Sequence, residues 1–226
     1  MRNPGVFVLP LAMIFFLVLM ILLLILSVVI TSVFRALGFS PLTTIAIFFL
    51  SLVGSTINIP LYSKKTQQPV RKSRSGFLAN FLYPQFEKEY RTVKTTVAIN
   101  LGGAVIPTLI SAYLFYTHSD LILQFSLGIL VVAMISYRFA RVIPGMGISL
   151  PLFIPPIVAA ITAIALPGPD TIIAFVSGVT GVLIGADLMN LTKIEELQST
   201  MMSIGGAGTF DGIFLTGIVS VLIAAI

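Results

Sequence analysis

Between Arg2 and Arg35 the chain carries no charged side chain. The apolar run inside that stretch, VFVLPLAMIFFLVLMILLLILSVVITSVF, exceeds the roughly 20 residues a helix needs to cross a bilayer. In hydrocarbon every backbone N–H and C=O must bond within the protein, so such a segment folds as a helix or as part of a closed barrel. The same constraint recurs along the chain, which is 57% hydrophobic and 9% charged, against about 25% charged in a soluble domain. Its apolar stretches are continuous rather than alternating segments of ~10 residues, which argues against a barrel. The expected fold is an all-α polytopic membrane protein. The first run is too long for a signal peptide and lacks a small-residue cleavage site, so it reads as a retained helix.

Seven spans are expected, at roughly 7–34, 42–62, 95–116, 120–137, 149–166, 170–190 and 203–225, forming a single transmembrane domain over 1–226. Pro144, Pro151, Pro155 and Pro156 interrupt the fourth-to-fifth region, and VIPGMGISLPLFIPP reads as a broken or re-entrant element. Such backbone is tolerated at depth only where protein or water covers it. The loop 63–94 is basic and aromatic, carrying Lys64, Lys65, Arg71, Lys72, Arg74, Lys88, Arg91 and Lys94. With seven spans, Arg2, Arg138, Arg141 and Lys193 fall on the same side, and Arg35 on the other with Asp120 and Asp170. The positive-inside rule then puts the N-terminus in the cytoplasm and the C-terminus outside. The loop reads as a topology determinant with interfacial Phe and Tyr anchors, or as a cytoplasmic substrate-docking element. The net charge of +5 is accounted for by topology, and no nucleic-acid motif accompanies it.

The chain has no cysteine, which excludes disulfides and thiolate chemistry, and its one histidine, His118, sits in a polar THSD turn. Against this background Asp187 and Asp211 stand out, in GVLIGADLMNL and IGGAGTFDGIFLTG. A carboxylate at membrane depth costs at least ~2.5 kcal/mol. The sixth span runs inward and the seventh outward, so both aspartates fall roughly 5–12 Å below the cytoplasmic surface, on helices expected to be neighbours. Gly178, Gly181 and Gly185 on one side, and Gly205, Gly206, Gly208 and Gly212 on the other, permit close backbone approach. Asn190 shares a helix face with Asp187 and either orients it or caps the helix end. Asn58 and Asn100 read as interhelical hydrogen-bonding groups. INLGGAVIP and SIGGAGTFD share a GGA core that hints at a repeat.

Two carboxylates a few Å apart share one proton and titrate as a pair. One can take a proton from an attacking water while the other donates to the amide oxygen. Neither role needs a metal or other cofactor, and none is expected. The same buried Asp and Asn residues also suit an ion-coupled transporter or channel, or a non-catalytic membrane scaffold.

GTFDGIFLTGIVS resembles the GxGD segment of presenilin, signal peptide peptidase and the preflagellin peptidases, and ADLMNL resembles the partner-aspartate segment of presenilin. The resemblance implies a presenilin-like catalytic helix pair at the C-terminus, with Asp187 and Asp211 catalytic and Gly185, Asn190, Gly208 and Gly212 in support. It implies a transmembrane-helix substrate or other membrane protein as partner, beside the lipid bilayer, in a prokaryotic plasma membrane. The departures are Phe210 at the third motif position, Ala186 in place of tyrosine before Asp187, and no PAL tripeptide after the seventh span; SLPLFIPP offers a proline-rich wall from upstream instead. NIPL at 58–61, INLGGAVIP and GADLMNL also make the chain resemble a prokaryotic membrane family known only as domain of unknown function 1614.

Overall fold

The computed structural model describes residues 5–71, 88–143, 147–197, 199–206 and 212–226. These fall into two compact units, 1–49 and 50–226. The first holds helix α1 (Gly5–Ala36) and the start of α2 (Pro41–Gly54). Every residue of α1 from Met13 to Ile25 is exposed. A helix that is apolar all round is at home in lipid rather than water. α1 ends in a turn through Gly38, whose φ of 86° suits glycine alone. The Ser40 hydroxyl then accepts the Thr43 N–H at 3.2 Å, with Pro41 behind it, a normal helix start.

The second unit adds α3 (Ile106–Thr117), α4 (Ile122–Phe139), α5 (Ile154–Ala165), α6 (Asp170–Val182) and α7 (Gly212–Ala224). α6 is its centre, in contact with α3, α4, α5 and α7. Residues Ile172–Val179 are all buried, because DTIIAFVSGVTGV puts small or β-branched side chains on every face. Glycine sets the contacts with α4 and α7. A Cβ on Gly128 of α4 would collide with Ser177, and one on Gly181 would lie 2.6 Å from Cβ of Val132. On the other flank Gly178 meets Thr216 and Ser220 of α7, and Gly217 meets Phe175 and Val179. Lower residue numbers on α6 meet higher ones on α7, so the two helices run antiparallel.

The described residues are mostly helical, as a helical membrane protein requires, but they also include five strands. β1 (Asn58–Arg71) pairs antiparallel with β2 (Lys88–Asn100), and β5 (Met201–Ile204) adds parallel to β2, giving the order β1-β2-β5. β3 (Arg141–Ile143) and β4 (Gly147–Ser149) form a separate short hairpin. The strands take over the ends of expected spans. The second span stops being helical at Gly54, where the Ser55 and Thr56 hydroxyls bond back to Leu52 and Val53, and Ile59 before Pro60 disfavours helix. The third span starts as a β-branched strand, TTVAI, and the first two residues of the seventh, Ser203 and Ile204, belong to β5. The loop expected over 63–94 is strand at both ends, and its middle, 72–87, lies outside the described residues. The element expected to be broken, VIPGMGISLPLFIPP, becomes the β3–β4 hairpin, a turn, and then α5 with its prolines in the first helical turn.

The described residues contain seven apolar helical segments, one overlapping each expected span. Three are long and apolar enough to cross a membrane: Ala12–Ala36, Ser119–Phe139 and Asp170–Lys193. The other four, Pro41–Gly54, Leu101–Thr117, Ile154–Ala165 and Gly212–Ala224, are shorter. The 14 residues of α2 rise only about 21 Å against a ~30 Å hydrocarbon core.

Candidate functional site

The α6 helix does not end cleanly. At Val182 it widens into a π-helical turn, Leu183–Asp187, and then tightens into a 3₁₀ run, Leu188–Leu197. Asp187 is the last residue of the wide turn and is half-buried. A π-turn adds one residue to the helix, which shifts the side chains after it and leaves carbonyls short of their usual donors. Asn190 supplies the missing donor. Its Nδ2 donates to the carbonyl oxygens of Gly185 at 3.2 Å and Ala186 at 2.9 Å, and the side chain is 1% exposed. Asn190 therefore caps the turn, and through the cap it fixes the backbone that carries Asp187. Gly185 serves packing: a Cβ there would collide with the Ala133 carbonyl oxygen of α4. The pair Gly181 and Gly185 thus seats α6 on α4, not on α7 as the sequence suggested.

Asp187 opens onto a cavity of about 280 Å³. Its walls come from three places: Ile143 and Gly147–Leu152 with Pro155 from the hairpin and the proline-rich segment, Val182 and Ala186 beside Asp187, and Gly212 with Thr216 from α7. Most of the lining is aliphatic or proline, and Asp187, Ser149 and Thr216 are the side chains that bring polar atoms to it. Ser149–Leu152 and Pro155 thus line the same cavity as the Asp187 side chain. No described atom lies within 4 Å of where a Cβ on Gly212 would stand. Asp211 and Gly208 lie outside the described residues. What the structure brings together is Asp187 and the residue that follows Asp211 in sequence.

Three cavity residues escaped the sequence reading. Thr216 had a usable signal, as a hydroxyl one helical turn beyond Gly212 in an apolar helix. Ile143 and Ile148 had none, because only the β3–β4 pairing carries them to the site.

Asn58 and Asn100 are engaged elsewhere. Asn58 Oδ1 accepts from Asn100 Nδ2 at 3.1 Å and from the Ser203 hydroxyl at 2.5 Å, tying β1, β2 and β5 together. Asn100 Nδ2 also donates to the Ser55 carbonyl at 2.7 Å, and its Oδ1 accepts the Gly103 N–H at 2.7 Å, starting the turn into α3. These are inter-strand and capping bonds rather than the interhelical bonds expected. The two GGA segments do meet: a Cβ on Gly103 would collide with the Gly205 carbonyl, and one on Gly205 with Ala104. Each follows one of the parallel strands β2 and β5. His118 Nδ1 lies 3.1 Å from the Leu114 carbonyl at the end of α3. Among the described residues no three His, Asp or Glu side chains gather to hold a metal.

The family described as "Protein of unknown function (DUF1614)" matches residues 52–223, almost the whole of the second compact unit. No curated protein and no solved structure matches the chain.

Proposed function

The chain belongs to the DUF1614 family; as that family carries no assigned activity, we propose from the site itself that this protein is an intramembrane aspartyl protease-like hydrolase. In this reading Asp187 and Asp211 form a carboxylate pair that cuts a peptide bond of a membrane-embedded helix. One observation carries it: Asp187 and Gly212, the residue bonded to Asp211, line one cavity faced by a proline-rich segment.

The chemistry follows from two carboxylates sharing one proton. The ionised member takes a proton from water as its oxygen bonds to the amide carbon, and the protonated member donates to the amide oxygen. The resulting gem-diol collapses as the C–N bond breaks, with the proton passing to the departing nitrogen. An acid, an amine and the singly protonated pair remain. The apolar walls favour a hydrophobic substrate segment and limit bulk water, which strengthens the electrostatics of the pair. Asn190 is a positioning residue in this scheme and touches no substrate.

A transporter or channel would draw on the same aspartates together with Asn58 and Asn100. Both amides are engaged in the sheet, which favours the hydrolytic reading. The test is cleavage of a reporter membrane helix by the purified, reconstituted chain. Wild type should release product, and Asp187→Ala and Asp211→Ala should each abolish it. A wild type that cleaves no candidate helix yet drives proton- or sodium-coupled uptake, lost in the same variants, would overturn the proposal.

A further inference from the structure

The β1–β2 hairpin runs well beyond the sheet, since β5 pairs only with Thr96–Ile99 of β2. Along residues 63–71 and 88–95 it is two-stranded. Its register sets Lys65 directly opposite Lys94, and Arg71 opposite Lys88. Ser63 and Lys65 of β1 and their partners Thr96 and Lys94 of β2 share one row, which Thr92 continues along β2. Lys65, Lys94 and Thr92 are exposed.

Two facts make this arrangement unfavourable on its own. Like charges placed directly opposite each other weaken a strand pair. A two-stranded hairpin is also marginal in water. A surface of opposite charge within a Debye length offsets both. Such a surface lies at the base of the hairpin if the chain is a membrane protein, because β1 follows the apolar helix α2 and β2 leads at Leu101 into the apolar segment Leu101–Thr117.

We propose that this row of the hairpin docks on the anionic phospholipid headgroups of the membrane that holds the chain. The inference rests on the membrane reading and is independent of the carboxylate pair. Each basic residue near an anionic surface contributes about a fivefold preference, so two contribute about 25-fold.

The absence of cysteine gives a clean background for a test. A spin label on Thr92→Cys, in the full chain in nanodiscs, reports exposure to a water-soluble relaxation agent. Ser63→Cys reports the same row if the label at 92 disturbs the strand. Exposure should fall when phosphatidylglycerol replaces about a third of the phosphatidylcholine. It should return at ~0.5 M salt, where the Debye length is about 4 Å. Lys65→Gln with Lys94→Gln should weaken the lipid preference about 25-fold. Equal exposure in both lipids would overturn the proposal. So would protection by a soluble oligonucleotide in phosphatidylcholine discs without protection by phosphatidylglycerol, which would assign the row to a soluble polyanion.

Discussion

Asp187 owes its position to Gly185 within the π-turn, which lets α4 approach, and to Asn190 beyond it, which caps the carbonyls of Gly185 and Ala186. The two glycines of the site behave oppositely as a result. Gly185→Ala drives a methyl into the Ala133 carbonyl and should destabilise the protein by roughly 1–3 kcal/mol, read as a lower thermal midpoint in detergent. Gly212 meets no described atom within 4 Å of a Cβ, so Gly212→Ala should fold like wild type. Gly212→Leu should keep that midpoint but lose reporter cleavage, because the larger side chain enters the cavity. Asn190→Leu removes two hydrogen bonds from buried carbonyls, worth about 1–3 kcal/mol of stability. Under the proposed mechanism it also lowers kcat in the protein that remains folded, whereas a purely structural role would leave kcat unchanged.

At the level of elements, the sheet is held by the acceptor Asn58 Oδ1, which serves both Asn100 and Ser203. Asn58→Ala should therefore cost about 1–3 kcal/mol and speed amide exchange in β5, while Ser203→Ala should cost less, because Asn58 keeps Asn100. Amide exchange in Met201–Ile204 measures the difference. This sheet marks where the sequence stopped being legible. Each apolar segment was visible, since hydropathy reports burial or lipid contact whatever the backbone does. TTVAIN and INIPL continue the apolar stretches they adjoin, and their β-branching, the proline and the capping by Asn100 accompany the change to strand. Long-range pairing of β5 with β2 leaves no local trace beyond the shared GGA. The site was legible in half: Asp187, Gly212 and the proline-rich segment were singled out from sequence, but the β3–β4 hairpin that completes the wall was not, because a three-residue strand has no periodicity to read.

The molecule as a whole joins an apolar α1 to a second unit built on one buried helix. Orientation is an expectation from charge, and the cysteine-free chain makes it measurable. Single cysteines at Ser63, beside the basic hairpin, and at Tyr116, exposed near the His118 turn, should be labelled by an impermeant reagent from opposite sides of sealed vesicles, the first from the cytoplasmic side. Labelling of both from one side would remove an expected span and the inferred direction of α6 and α7. The account's central claim is that Asp187 and Asp211 act together on a peptide bond, and binding of a transition-state mimic tests it most directly. A membrane-helix peptide carrying a hydroxyethylene unit in place of one amide should bind the wild-type chain at least ~100-fold more tightly than the unmodified peptide. That excess should vanish in Asp187→Asn and in Asp211→Asn. Equal binding of the two peptides, or an excess that survives loss of either carboxylate, would contradict the account.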